Sequence, residues 1–139
     1  MKAVVLHEYG GPEKLKYEEV ADPVAGAGQV LVRVAATSVN PIDYKLRSGI
    51  FKDFMPLTFP AILGNDFSGI VRSVGAGVSG FGGGDKGMGL ADSADAEVVV
   101  AKVGAMTHLP DGMDLVEAAA LPGVTLTGEQ LITRGTKIQ

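Results

Sequence analysis

The chain has 139 residues, of which 46% are hydrophobic and 20% are charged, and its formal net charge is −4. This length and composition are typical of one soluble globular domain, and the acidic balance without a basic cluster argues against a nucleic-acid partner. The sequence contains no cysteine, which excludes disulfides and thiolate metal sites. The N-terminal apolar run is too short for a signal peptide, so we expect a cytoplasmic protein without a membrane partner.

Short β-like runs separated by turn residues fill the first hundred positions. In the run over residues 29–36, Val30, Val32 and Val34 recur with the period of two that is typical of a strand. Strands are predicted at residues 2–7, 15–20, 29–36, 67–74, 85–90, 96–101 and 106–109. Several short strands at this spacing favour a barrel or sandwich over a parallel α/β sheet.

Three short helices are also predicted. The first has Asn40 at its N-cap, Asp43 at its third position and Gly49 just past its end, each a favoured residue at that place. The second begins at Asp114 with a D-x-x-E pattern that approximates a capping box, and it extends to the next proline. The third covers residues 123–135.

Gly75, Gly77 and Gly80 spell G-x-G-x-x-G, a pattern associated with dinucleotide pyrophosphates. That pattern binds phosphate only where a strand turns into a helix whose first amides face the ligand. A predicted strand precedes these glycines, but FGGGDKGMG follows them, and a helix loses roughly 1 kcal/mol at each interior glycine. We therefore predict a strand-to-strand turn.

Five blocks of sequence, taken in order, cover nearly the whole chain. They are MKAVVLHEYGGPEKLKYEEV, GQVLVRVAATSVNPIDYKLRSG, FPAILGNDFSGIVRSVGAGVSGF, GDKGMG and AEVVVAKVGAMTHLPDGMDLVEAAALPGVTLTGEQLI. Together they resemble the N-terminal, GroES-like catalytic domain of the medium-chain dehydrogenase/reductase superfamily, in its zinc-free quinone oxidoreductase branch. The resemblance implies a mainly β, partly open barrel with a few short helices over residues 1–135.

The same resemblance implies a cofactor and a second domain. In that family a Rossmann domain that binds NADP(H) follows the segment ending here at Gln139, so we expect residues 136–139 to begin the connection to a domain absent from this chain. The chain would then be the substrate-facing part of an NADPH-dependent, zinc-independent quinone or enone oxidoreductase, inactive and without bound NADPH on its own. The alternative is a non-enzymatic isolated GroES-like β-barrel, in which exposure of the helix around Leu126 and Leu131 favours a homodimer.

Candidate site residues come from positions of this sequence that match functional positions of that family. Asn40 either serves only as a helix N-cap or, as the resemblance implies, also lines a cleft at the nicotinamide end of NADPH. Thr125 and Thr127 match cofactor-binding positions, with ordinary helix surface as the alternative. Lys45 matches a position near the cofactor ribose or the substrate carbonyl, where an ammonium stabilises an enolate, and Tyr44 precedes it. The alternative to a catalytic role is that Tyr44 packs within the fold and that Lys45 is exposed to solvent.

No metal is expected in this chain. Zinc-dependent relatives carry Gly-His-Glu where this sequence has GND at residues 64–66, and a cysteine near Ser38. Asparagine is a poor zinc ligand, so the resemblance implies a site without zinc. Asp66 is expected to form hydrogen bonds within the loop that precedes its strand. His7 and His108 have no second ligand at metal spacing and are expected to be structural or surface residues.

Overall fold

The computed structural model describes residues 1–136 and folds them into two β-sheets with short helices. The strands are β1 Lys2–Leu6, β2 Leu15–Glu19, β3 Gln29–Thr37, β4 Ala61–Ile62, β5 Asp66–Val74, β6 Lys86–Leu90, β7 Val98–Lys102 and β8 Met106–His108. The helices are α1 Pro41–Ser48, α2 Leu115–Ala118 and α3 Pro122–Gln130, with 3₁₀ turns at Pro12–Lys14 and Val103–Ala105 and a π-helical turn at Leu131–Gly135. The predicted connection over residues 136–139 lies outside the described residues except for Thr136.

The strands pair antiparallel in the orders β2-β1-β4 and β7-β3-β5-β6-β8. The two sheets meet where Ala3 forms a bridge with Ala96, and where the Val4 N–H donates to the carbonyl oxygen of Asp95 at 2.8 Å. Over residues 1–136 both sheets remain open and no closed barrel forms. The predicted mainly β, partly open architecture is confirmed.

All seven predicted strands are present, and their ends agree within two residues. The sequence missed β4, which has two residues and pairs with Val5 and Leu6 of β1. A two-residue strand is too short to display a period of two, so hydrophobic patterning gives no signal for it. None of the helices in residues 1–136 has the length and apolar content that a membrane span requires.

The main core lies on one face of the five-stranded sheet. Val30 and Val32 are fully buried there, as the period-two pattern of β3 predicts, and they pack with Phe67 and Val71 of β5. Valine side chains with their branched Cβ fill a pleated, buried surface well. The core therefore fixes β3 against β5, and these two strands lead directly to the site described below.

Two irregularities interrupt the pairing of β3 with β5. Leu31 lies opposite Ser73 but Val32 lies opposite Val71, so that β5 carries one extra residue. Farther along, Val34 lies opposite Gly69 while Ala36 lies opposite Ser68, so that β3 carries the extra residue. Such bulges increase the local twist of a strand pair.

The G-x-G-x-x-G segment is a turn between β5 and β6, as predicted. Gly77 and Gly80 have φ of +76° and +84°, a conformation that suits glycine, and no helix follows them. A Cβ on Gly75 would overlap the carbonyl oxygen of Gly26, because the two backbones lie in close contact. These glycines therefore allow the backbone conformation and the close backbone contact that the turn requires.

The predicted helix starts are confirmed. In α1, Asp43 Oδ2 accepts from the backbone N–H of Asn40 at 2.6 Å, and Gly49 ends the helix with φ of +79°. In α2, Asp114 Oδ1 accepts from the Val116 N–H at 2.7 Å. The second helix is one turn long instead of extending to Pro122, because that proline begins α3 at its first helical position.

Candidate functional site

A cleft of about 900 Å³ is lined by several parts of the chain, among them the 3₁₀ turn at Val103–Ala105, strands β3 and β7, and the four described next. The segment between β3 and α1 contributes Asn40, the start of β5 contributes Asp66, and the end of β6 contributes Leu90. Helix α3 contributes Gly123 and Thr127. A concave site with mostly apolar walls and a few convergent polar groups is the usual form of a small-molecule site.

Asp66 is the polar centre of this cleft. Its side chain is fully buried. Its Oδ2 accepts from the Ser38 hydroxyl at 2.6 Å and from the Asn40 side-chain nitrogen at 2.7 Å, and its Oδ1 accepts from the Gly123 N–H at 2.8 Å. Three donors therefore compensate the desolvation of the carboxylate, and none of the salt bridges within residues 1–136 involves it.

Local geometry brings these groups together. Thr37 pairs with Phe67 at the end of the β3–β5 ladder, and its hydroxyl donates to the Asp66 carbonyl oxygen at 2.9 Å, so Ser38 follows directly beside Asp66. The first N–H groups of a helix have no partner within that helix, which leaves the Gly123 N–H available in α3. A Cβ at position 123 would lie 2.9 Å from Asp66 Oδ1, so glycine permits this approach.

This arrangement corrects the expectation for Asp66. Its side-chain bonds do not stay within the loop before its strand, but join the β3–α1 segment to α3. Two sequence signals were available: an aspartate directly before a run of buried residues, and a glycine directly after the proline that begins a helix. Neither signal identifies the partner, because the partners are 28 and 57 residues away in sequence.

Two of the three predicted cofactor-binding residues line the cleft, namely Asn40 and Thr127. Thr125 is not among the lining residues, and its hydroxyl donates to the Leu121 carbonyl oxygen at 2.7 Å. The Thr127 hydroxyl likewise donates to the Gly123 carbonyl oxygen at 2.7 Å, which leaves its lone pairs to accept from a ligand.

The predicted catalytic residues Tyr44 and Lys45 lie on α1 outside the cleft lining. Tyr44 is 46% exposed, and the Lys45 ammonium lies 5.6 Å from the centre of the Phe51 ring, at the distance of a cation–π contact. The two side chains follow Asn40 on the same short helix, but the cleft of this chain does not bring them together with Asp66. Their catalytic roles stay predictions.

Among residues 1–136 no group of three His, Cys, Asp or Glu side chains is arranged to hold a metal ion. Both Asp66 oxygens already accept hydrogen bonds. The two histidines contact other groups: His7 pairs with Glu18 at 2.6 Å, and His108 contacts the Gly80 carbonyl oxygen at 2.7 Å.

A second aspartate, Asp95, contacts Thr37. Asp95 Oδ1 lies 3.0 Å from the Thr37 Oγ1, whose one proton is shared between Asp95 and the Asp66 carbonyl oxygen, and burial raises the pKa of the Asp95 carboxyl. The hydrogen bond from Thr37 opposes that rise in pKa, while the charge of nearby Asp43 adds to it. Ionised Asp95 is therefore less favourable in the folded chain than in the unfolded chain.

We expect Asp95→Asn to change how stability depends on pH. Because the pKa of Asp95 is raised in the folded chain, the wild-type chain loses stability as pH rises from the unfolded pKa of Asp95 through its folded pKa. The asparagine of the variant cannot ionise, and its side-chain oxygen can still accept from the Thr37 hydroxyl. The stability of the variant relative to wild type should therefore increase from acidic to neutral pH in urea unfolding. Asp92→Asn removes the same charge from an exposed neighbouring side chain and serves as the control. Parallel pH profiles for wild type and Asp95→Asn would contradict the prediction.

Comparison with known proteins identifies the fold. Residues 26–99 match the family model described as the alcohol dehydrogenase GroES-like domain. A chloroplastic quinone-oxidoreductase homolog from Spinacia oleracea is 35% identical over 144 residues, a match that covers 100% of this chain and 44% of the spinach protein.

Solved structures agree with that match. The human synaptic vesicle membrane protein VAT-1 homolog-like protein superposes with a TM-score of 0.94 at 34% identity, covering 100% of this chain and 45% of that one. The Escherichia coli quinone oxidoreductase, solved as a complex with NADPH, gives a TM-score of 0.86 at 31% identity, covering 98% of this chain and 41% of that one. The chain thus spans slightly less than half the length of these relatives. It belongs to the alcohol dehydrogenase GroES-like domain family.

Proposed function

We propose that this chain forms the substrate-facing part of an NADPH-dependent, zinc-independent oxidoreductase that reduces a quinone or an enone by hydride transfer. The observation that carries the proposal is the cleft in which Asn40, Asp66 and Thr127 converge. The similarity to quinone oxidoreductases, one of them solved with NADPH, supports the reaction class. The proposed compartment is the cytoplasm, and a homodimer is the proposed assembly.

We propose that one end of the cofactor binds in the cleft. Asn40, Val124 and Thr127 would hold a nicotinamide ring, since they combine an amide, an apolar wall and a hydroxyl on one cleft. NADPH would supply the hydride. The turn over residues 75–80 does not fit the pyrophosphate, because no helix follows it. We therefore propose that another part of the functional protein binds the phosphates.

In the proposed reaction, side chains of the protein activate the substrate. In a reaction without zinc, the negative charge that develops on the substrate oxygen needs a cation or a hydrogen-bond donor. The Lys45 Nζ lies over the Phe51 ring, 5.6 Å from its centre. We propose that Lys45 stabilises this charge once substrate lies over α1, with the Tyr44 hydroxyl as a neighbouring donor.

The proposal is tested by measuring NADPH oxidation with a para-quinone and with an α,β-unsaturated ketone. The 139-residue chain is compared with the gene product that includes any sequence following Gln139. We expect turnover from the longer product, and neither turnover nor micromolar NADPH binding from the 139-residue chain. Micromolar binding by the chain alone would refute this division of labour, and no turnover with either product and either substrate would favour a non-enzymatic domain.

The role of Lys45 is tested in the active product. Lys45→Ala is expected to lower kcat by about 10²-fold with a smaller change in KM, because the ammonium acts on charge that develops during the reaction. Lys52→Ala removes an exposed lysine seven positions along the chain and is the matched control. Equal activity in the two variants would remove Lys45 from the mechanism.

A further inference from the structure

Strand β7 lies at one end of the five-stranded sheet, and among the strands of residues 1–136 it pairs only with β3. In an antiparallel pair, successive residues point their backbone N–H and C=O groups alternately toward the neighbouring strand and away from it. The Val34 N–H of β3 donates to the Glu97 carbonyl oxygen at 2.9 Å, which fixes this alternation along β7. The groups that point away from β3, called the β7 edge below, belong to Val98, Val100 and Lys102.

The chain leaves space beside the β7 edge. Val98 and Val100 line a second cavity of about 460 Å³, and Val100 and Lys102 line the cleft described above. Over residues 1–136, none of the backbone hydrogen bonds formed outside the regular strand pairs uses this edge. The second cavity has mostly apolar walls, which include Val5, Val20, Pro23, Pro60 and Ile62. An unpaired strand edge beside apolar pockets suits an added β-strand, because the backbone supplies hydrogen bonds and the pockets accept side chains.

The other sheet edges are protected against such pairing. Strand β2 carries the charged residues Lys16, Glu18 and Glu19, while β4 has two residues and β8 has three. Charged side chains and very short strands are two ways in which proteins prevent association between sheet edges. Residues 98–101 of β7 read VVVA, without a charge, a proline or a bulge, and the charge of Lys102 lies at the end of the strand. Within residues 1–136, β7 is therefore the least protected edge.

We propose that the β7 edge pairs antiparallel with the β7 edge of a second copy of this chain, about a two-fold axis that passes Ala101. Val100 of each copy then lies opposite Lys102 of the other, and each such pair exchanges its backbone hydrogen bonds. This register uses the accessible part of the edge, because Val100 is half-buried and Lys102 is exposed, whereas Val98 is buried. It also keeps like charges from lying directly opposite each other.

Pairing at this edge gives the proposed homodimer a surface and does not depend on the proposed reaction. The other candidate surface is the apolar face around Leu126 and Leu131, which are 46% and 61% exposed. That face offers apolar area alone. The β7 edge offers apolar area together with unpaired donors and acceptors that complement their own copies, as a two-fold interface requires.

The surface is tested by sedimentation velocity on the 139-residue chain from about 20 to 500 μM. We expect a shift from monomer to dimer across this range, as a micromolar Kd predicts. Val100→Pro should abolish the shift, because it deletes an N–H that points away from β3 and leaves the bonds between β3 and β7 in place. Val100→Thr keeps the N–H and a β-branched side chain, and should change the Kd by less than about 3-fold.

Leu131→Glu distinguishes the two surfaces. It places a charge in the apolar face around Leu126 and Leu131, and dimerisation through the β7 edge should stay the same. A wild-type chain that remains monomeric at about 500 μM would overturn the proposal. A folded Val100→Pro chain that dimerises like wild type would do so as well, and so would loss of the dimer in a folded Leu131→Glu chain.

Amide hydrogen exchange tests the same surface without any substitution. The Val100 N–H is free in the monomer and hydrogen-bonded in the proposed dimer, whereas the Val99 N–H points toward β3 in both. Between about 20 and 500 μM we expect Val100 exchange to slow by about 10-fold and Val99 exchange to stay the same. A dimer in which Val100 exchange does not slow would exclude pairing at this edge, even if Val100→Pro fails to fold. Neither method involves NADPH turnover, so failure here is distinct from failure of the proposed reaction.

Discussion

Asp66→Ala is expected to lower the free energy of unfolding by about 3–5 kcal/mol, the largest effect of any substitution in the cleft. The change removes the common acceptor of Ser38, Asn40 and Gly123, so that three donors lose their partner in one step. It also removes the link between the β3–α1 segment and α3. Urea unfolding followed by circular dichroism measures the loss.

Asp92 provides the control for this substitution. It lines the same cleft and carries the same formal charge, but its side chain is exposed. We expect Asp92→Ala to change the free energy of unfolding by about 0.5 kcal/mol or less. If the two alanine variants were equally stable, the Asp66 network would contribute nothing to the fold and the account of the cleft given above would be wrong.

Gly75→Ala is expected to cost about 2–4 kcal/mol, although the residue lies in a glycine-rich turn. The new Cβ would overlap the Gly26 carbonyl oxygen, so the two chain segments must separate. That separation strains two backbone hydrogen bonds of 2.8 Å, from the Gly28 N–H to the Ala76 carbonyl oxygen and from the Gly75 N–H to the Gln29 carbonyl oxygen. Thermal unfolding would register the change as a lower Tm.

Substitutions at two other glycines distinguish the possible causes of this loss of stability. Gly77 has positive φ but open space around its Cβ position, so Gly77→Ala should cost only about 1 kcal/mol. Gly104 has open space and no positive φ, so Gly104→Ala should be close to neutral. A larger loss at Gly77 than at Gly75 would mean that backbone conformation, and not close approach, explains why this turn needs glycine.

Local patterns in the sequence predicted most of the fold. The alternating valines of β3 indicated a half-buried strand, and Asn40, Asp43 and Gly49 marked both ends of α1, because each signal depends on neighbours within a few residues. The break between α2 and α3 was missed. Pro122 was taken to end one helix, whereas it begins another, and a proline near a helix boundary is compatible with both.

The candidate site was less predictable than the fold. Asn40 and Thr127 were placed by resemblance to a family, and the cleft includes both of them. Asp66 was identified, but its partners depend on how β3, β5 and α3 meet in space. No pattern within a few residues of Asp66 encodes a bond to Gly123, and the orientation of the Asn40 amide depends on that same carboxylate.

The two irregularities in the β3–β5 ladder have opposite effects and cancel. β5 carries the extra residue at the first, β3 carries it at the second, and so Thr37 and Phe67 pair in the register that Val30 and Val74 began. Deleting one residue from either strand alone would move Ser38 one position relative to Asp66, and would turn the following side chains to the opposite face. Deleting one residue from each strand would restore the alignment. Related chains with an intact Asp66 network should therefore change the lengths of these two strands only together.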